Sequence, residues 1–368
     1  MIKSYKDYLA EAIGDGPRIP HPEDSVLQGS NKAMQFAMAL EEILQKPQLS
    51  TIKWDGGIAL YFGRNQQGQL FVTDKYMPAK GVYPTSPEGW VEYDRSRGAD
   101  RADLYGKIQA IWPGIEASVG KTNGVFKGDL MTINPAGLKP AGNSFEFGDI
   151  TVHYSVPVKS YLGNLMSGKV ALIVVHEFDN RPWDGQTGLT NVSNVAFIPP
   201  NVNLNFSLGN NSPLQKKLMT AVRTAETKIT TLGRQSDAFL AGLDNPAVKL
   251  LGQYLNQIRT QQTKDNIATW LEKEANPKQF RNLIGDGESG YLAKNKAGLD
   301  ALYQIWNSIF TAKVAIVEAF ESQVKGFTQT TPDGPGGEGF VFPTSLGLIK
   351  LINPNFGSSH FSKKHFPK

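Results

Sequence analysis

The chain contains no cysteine. This excludes disulfides, thiol nucleophiles and cysteine-ligated zinc, and leaves the redox compartment open. No apolar run reaches membrane-spanning length and the N-terminus has no secretory hydrophobic stretch, so no membrane partner is expected. Neither sign of charge dominates: 38 Lys and Arg against 34 Asp and Glu leave a net +4, which permits contact with nucleic acid without demanding it. What is present is an ordinary globular composition over 368 residues, enough for one large or two ordinary domains. Abundant glycine and proline, with aromatic and β-branched runs, point to strand and loop in the first half.

The most informative stretch is Thr51-Ile52-Lys53-Trp54-Asp55-Gly56-Gly57-Ile58. Strand-forming residues are interrupted by a lysine, a carboxylate and two glycines, which let the backbone turn and a ligand come close. A lysine shielded from water readily becomes a neutral amine nucleophile, although Lys-x-Asp-Gly also suits a plain hairpin. A return strand, Leu70 to Thr73, leads to Lys75 and Lys80, either a ligand-binding basic residue or a solvated loop lysine, with Lys80-Gly81 preferred. Gly124 to Thr132 alternates as a strand and carries Asp129. Gly148 to Tyr154 and Lys169 to Asp179 read as further strands. Phe178 ends the second of these, as a base-stacking aromatic or a core residue.

His21-Pro22-Glu23-Asp24 is expected to be a solvated turn rather than a metal site, having one imidazole among freely hydrated neighbours. Ser30 is placed to cap a helix over 31–44, and a helix over 102–112 is expected to close at Pro113-Gly114. Tyr5, Tyr8, Leu9 and Ala12 make a short amphipathic helix of the first residues. From Ser212 to Phe327 the pattern is helical (Leu214–Leu232, Pro246–Trp270, Leu299–Phe320), with breaks at Gly233 and Asn245-Pro246. Lys216, Lys217, Arg223, Lys228 and Arg234 read as a solvated face or a clamp over nucleic acid. Glu338 to Phe342 and Leu348 to Asn353 are the last strands, with Lys350 in the second.

Lys53-x-Asp55-Gly56, Lys80, Gly128-Asp129, Phe178, Glu338-Gly339-x-Val341 and Lys350, in that order, resemble the motifs of the covalent nucleotidyltransferases, the ATP-dependent DNA and RNA ligases and capping enzymes. The resemblance implies that Lys53 takes a nucleoside monophosphate from ATP as a phosphoramidate. It implies that Ile52, Asp55, Gly56, Lys80, Asp129 and Phe178 surround the nucleotide, that Glu338 binds Mg2+, and that Lys350 neutralises the α-phosphate. Ile58 where DNA ligases carry arginine, and no expected room for an OB domain after Lys350, favour an RNA-ligase-like branch; a single lysine between Leu348 and Ile352, and Asp129 where the motif usually has glutamate, favour a lapsed enzyme.

Over nearly the whole chain outside the helical stretch, the sequence is similar to an uncharacterised family of T-even-type phage proteins, through His21/Glu23/Asp24, Lys53 to Gly56, Lys80-Gly81, Gly128 to Met131 and Glu338 to Lys350. Met1 to Ala12 resembles a phage capsid-targeting peptide cut after Leu9-Ala10-Glu11. That implies a prohead protease and the capsid interior as partners, and a place in the virion or the host cytoplasm.

The expected architecture is α+β: a ligase-type core of antiparallel sheets, with an inserted helical subdomain and no C-terminal OB domain. Its parts are an N-terminal peptide (1–16), the first part of the core (17–205), the helical insert (206–328), and the last strands with a basic tail (329–368). The expected function is transfer of the nucleotide to a nucleic-acid end. The alternative is a non-catalytic nucleic-acid-binding or internal head protein that keeps the fold, and a third reading has a host protein as acceptor.

Overall fold

The computed structural model describes residues 21–121, 124–149, 151–179, 181–202, 206–209, 211–260, 263–274, 290–332, 334–353 and 356. The expected N-terminal helix with its cleavage site, and the basic tail, lie outside them.

In chain order the elements begin with α1 (Ser30–Gln45), β1 (Thr51–Ile52), β2 (Ile58–Arg64) and β3 (Leu70–Asp74). Then come α2 (Pro87–Ser96), α3 (Ala102–Ser118), β4 (Gly124–Ile133), β5 (Ser144–Gly148) and β6 (His153–Pro157). Next are α4 (Tyr161–Met166), β7 (Ala171–Phe178), β8 (Arg181–Pro182) and β9 (Val195–Ile198). The helical stretch holds α5 (Pro213–Ala241), α6 (Asn245–Arg259), α7 (Ile267–Glu274), α8 (Tyr291–Lys294) and α9 (Lys296–Glu321). Four strands follow: β10 (Thr328–Thr331), β11 (Gly334–Pro335), β12 (Gly339–Thr344) and β13 (Gly347–Ile352). The protein is thus α+β, with every strand pair antiparallel except β7 with β9 among those whose register is defined.

The chain forms two compact units. The first holds Ile52–Asn203 and Val324–Thr330. Its main sheet runs β3-β2-β4-β7-β8, with β9 beside β7. Alternation sends Leu60 and Phe62 of β2, Phe126 and Leu130 of β4, and Ile173 and Val175 of β7 to one face, where Trp90 of α2 and Ile108, Ile111 and Ile115 of α3 cover them. The other face carries Tyr61, Phe71 and Val125 with Tyr83 packed on them. Pro113 does not end α3, which continues to Ser118. Ile111, Trp112 and Ile115 are buried on both sides of it, and this packing outweighs the backbone hydrogen bond that a proline gives up. The expected strand from Gly148 to Tyr154 is broken: Gly148, with a φ of 116°, ends β5, His153 begins β6, and between them Asp149 N–H donates to Val152 O at 3.1 Å.

Among the described residues the second unit gathers 21–51, those of 206–323, and those of 331–356. The long helices α5 and α9 pack together along their apolar stripes, and α1 lies on α5. Helices of the expected insert therefore share a core with residues before and after it. Phe340, Phe342, Ile349 and Leu351 of the β12–β13 hairpin are buried, and Phe206 and Phe320 pack on Phe340. Two local expectations change for one reason. Ser30 is the first residue of α1 rather than its cap, since its N–H and Oγ bind the Asp237 carboxylate at 2.7 and 2.5 Å. Helix α5 runs through Gly233, where a Cβ would come within 2.7 Å of Ser30 Cβ. That glycine is a close approach between helices, not a break. Among the described residues no helix is long and apolar enough to cross a membrane.

Candidate functional site

In the first unit the Lys53–Gly57 loop joins β1 to β2 and is fixed by its tryptophan. Trp54 is buried, stacked between Tyr154 (ring centroids 5.2 Å apart) and Phe327 (5.0 Å). Its Nε1–H donates to Pro200 O at 3.1 Å, and Ile52 N–H reaches the same carbonyl at 3.1 Å. The Ile52 side chain is buried. With Ile52 and Trp54 directed inwards, the residues between and after them, Lys53 and Asp55, are only half-buried.

Asp55 is held at both ends. Its N–H donates to the Tyr154 hydroxyl at 2.8 Å, and its Oδ2 accepts from Thr151 Oγ1 at 2.5 Å. Thr151 Oγ1 also bonds Asp149 Oδ1, so two carboxylates meet on one hydroxyl. Burial is the main cause that raises the Asp55 pKa, with Asp149 and Asp129 adding to it and Thr151 and Lys53 opposing.

Gly56 brings the loop onto β4. A Cβ at Gly56 would lie 2.5 Å from Asp129 Cβ, and Gly57 N–H donates to Leu130 O at 3.2 Å. Asp129 is oriented by a group that the motif reading missed: His176 Nε2 meets its Oδ2 at 2.8 Å. A β-bulge explains how His176 gets there. β4 and β7 pair Lys127 with Glu177 and then Gly128 with Val175, which leaves His176 as the extra residue. Two consecutive side chains, His176 and Glu177, thereby reach the face that carries Asp129 and Lys127. Lys127 Nζ is 3.4 Å from Glu177 Oε1 and 6.0 Å from the Tyr61 ring centre. Burial works against the Lys127 ammonium, but Glu177 and Tyr61 outweigh it and raise its pKa.

Phe178, next in the strand, is turned to the opposite face. Its ring stacks on Phe126 at 4.4 Å and joins the main core. Lys80 is exposed at the end of a 3-10 turn, Pro78–Lys80, that follows β3. The structure thus seats the Lys53–Gly57 loop, through Gly56, on Asp129, which holds His176, and places Phe178 on the opposite face. A histidine just before the last acid of a buried strand was the available signal, but a bulge cannot be read from alternation.

Glu338 and Lys350 belong to the second unit. Glu338 is half-buried before β12, and its carbonyl accepts from Asn353 N–H at 2.9 Å. Beside it, Glu321 Oε1 accepts from Gly337 N–H at 3.1 Å, and burial raises the Glu321 pKa. Lys350 pairs with Val341, on the face opposite Phe340 and Phe342.

The same unit corrects the reading of His21 to Asp24, which form no solvated turn. Pro22–Gln28 is a 3-10 helix that sends Glu23 fully inside. Glu23 Oε1 accepts from Lys313 Nζ of α9 and from Arg259 Nη1 of α6 at 3.1 Å, and Arg259 reaches Asp24 at 3.0 Å. Lys313 is itself fully buried. Burial opposes the Glu23 carboxylate, but Lys313 and Arg259 hold its pKa below the usual range. Burial, with Arg259, drives His21 down to about 2, so its imidazole is neutral. The sequence signal was Lys313 itself, at helical spacing with Ile309, Ile316 and Phe320 on an apolar face, where a buried ammonium needs an acid.

The sequence model of a family described as a family of unknown function, DUF6267, matches residues 18–367, and the chain belongs to that family. No curated protein matches the chain, and neither does any solved structure.

Proposed function

We propose that this member of the DUF6267 family is a ligase-like nucleotidyltransferase in which Lys53 carries the nucleotide. The supporting observation is the contact of Gly56 with Asp129, which seats the Lys-x-Asp-Gly loop against the Gly-Asp strand. The Lys53 amine attacks the α-phosphorus of ATP. A nitrogen–phosphorus bond forms, the α–β phosphoanhydride bond breaks, and pyrophosphate leaves. The lysyl-AMP then passes its nucleotide to a nucleic-acid end. In this reading Asp129 and Asp55 orient the nucleotide over Lys53.

Among the described residues no group of three or more His, Asp or Glu side chains is placed to hold a metal ion. Mg2+ at phosphoryl-transfer centres needs only one or two carboxylates, its other ligands being phosphate oxygens and water. The resemblance assigns the ion to Glu338, half-buried in the second unit, where Mg2+ would neutralise phosphate charge. Lys350 keeps the role that the resemblance assigns it, at the α-phosphate.

A second reading, a non-catalytic nucleic-acid-binding or internal head protein, is favoured by one observation: Phe178 is stacked into the core and is not on the face of Asp129. Incubation with Mg2+ and α-labelled ATP, and separately GTP, followed by a denaturing gel decides between them. A labelled, acid-labile band supports the enzyme. Folded protein that takes no label from any of the four NTPs or NAD supports the binding protein.

A further inference from the structure

We infer that His176 is the general base of this site, accepting the proton that Lys53 must lose before it attacks. The inference rests on the proposed lysyl-nucleotide chemistry. An ammonium has no lone pair, so nucleophilic attack by a lysine begins with a proton transfer.

The geometry is that of an oriented imidazole. Nε2 is tied to Asp129 Oδ2 at 2.8 Å. With Nε2–H donated to the carboxylate, Nδ1 is left with its lone pair and accepts protons. Among the described residues nothing else hydrogen-bonds the ring, and Nδ1 is not among the buried unpartnered atoms. The side chain is 27% exposed, open enough to exchange protons with water and with a ligand. The β-bulge supplies the orientation, since regular alternation would send His176 to the face opposite Glu177. Gly56, three residues after Lys53, lies directly on Asp129, the residue that holds the imidazole.

The charged and titratable groups around this face are Asp129 and Lys127 on β4, Glu177 on β7, Tyr61 on β2, Lys53 and Asp55 in the loop, and Asp149 and Tyr154 beside Asp55. Arg181 of β8 pairs with Phe178 and belongs to the other face. Of the other acceptors, Glu177 is engaged by Lys127 at 3.4 Å and Asp55 Oδ2 by Thr151 Oγ1 at 2.5 Å, and we assign the proton to the His176–Asp129 pair.

In the transfer, Lys53 gives a proton to Nδ1 and the neutral amine attacks the α-phosphorus. The imidazolium, held by the Asp129 carboxylate, releases the proton to water after pyrophosphate leaves.

The test is the rate of adduct formation between Lys53 and α-labelled ATP, measured against pH for the full chain. His176→Gln is expected to slow the rate about a hundredfold or more, the usual worth of a general base, and to remove the acid limb of the profile. In His176→Ala, added imidazole is expected to restore the rate in proportion to its concentration. If the histidine variants do not fold, Asp129→Asn serves instead: losing the carboxylate disfavours the imidazolium and moves the acid limb to lower pH. An adduct that forms in His176→Gln at the wild-type rate with the wild-type profile overturns the inference and leaves the nucleotidyl reading standing. So does an acid limb unmoved in Asp129→Asn. Folded wild-type protein that forms no adduct with any NTP or NAD overturns both.

Discussion

Gly56 and Asp129 touch so closely that no larger residue fits between them: a Cβ on Gly56 would sit 2.5 Å from Asp129 Cβ. Both atoms are close to backbone, so neither can move aside as a flexible side-chain end would. Gly56→Ala is therefore expected to push the Lys53 loop off β4 at a cost of about 1–3 kcal/mol, the usual range for overpacking. The neighbour is the control. At Gly57 the nearest atom to an added Cβ is 3.9 Å away, an ordinary contact. Urea unfolding should show Gly56→Ala clearly destabilised and Gly57→Ala close to wild type. Equal effects would mean that the loop is not seated as described.

Trp54 anchors the same loop from the inside. Trp54→Ala removes two stacked ring contacts and leaves the Pro200 carbonyl without its indole donor. A loss of about 3–5 kcal/mol is expected, typical for a buried aromatic cut back to alanine. Trp54→Phe keeps most of the packing and should lose less. Thermal melts of the two variants, with near-UV circular dichroism as the check on packing, measure the difference.

In the second unit the buried ions predict an asymmetry. Glu23→Ala strands Lys313 without its carboxylate and should cost about 3–5 kcal/mol, as breaking a buried pair from one side does. Replacing both partners, Glu23→Leu with Lys313→Met, removes the stranded charge and should cost less than Glu23→Ala alone. A double variant as damaged as the sum of its single variants would show that the pair is not coupled.

The same cluster sets an acid limit. His21 has a folded pKa of about 2 and an unfolded one near the ordinary value, roughly 6.5. Below that ordinary value the unfolded chain takes up a proton that the folded chain refuses, so stability falls as the pH drops. Glu23 works in the same direction. Its pKa is lowered in the fold, so its contribution is present above the ordinary carboxylate range and is lost as pH falls towards the folded value. Unfolding of the wild type should become easier from about pH 6.5 downwards, and His21→Gln should flatten the upper part of that decline. A decline unchanged in His21→Gln would place the acid sensitivity elsewhere.

What was legible in the sequence follows from which interactions are local. The strand pair β2–β3, the long strand β7 and the amphipathic helices α1, α5 and α9 show their periodicity directly. The glycines after Lys53 mark a sharp turn directly, but that Gly56 would meet Asp129 does not show in the local sequence. Three things depended on partners far along the chain. Pro113 and Gly233 looked like helix ends, and packing against distant residues overrode them. His21 to Asp24 looked hydrated because the acids were in view while Arg259 and Lys313, more than two hundred residues later, were not. His176 was hidden by a single extra residue in a strand, which shifts which side chains share a face and leaves composition unchanged.

The most direct test of the central claim is where the nucleotide sits. After reaction with ATP and Mg2+, intact-mass measurement followed by peptide mapping should find one AMP per chain, on the peptide that contains Lys53, and none in Lys53→Ala. AMP attached to another residue, or still attached in Lys53→Ala, would contradict it.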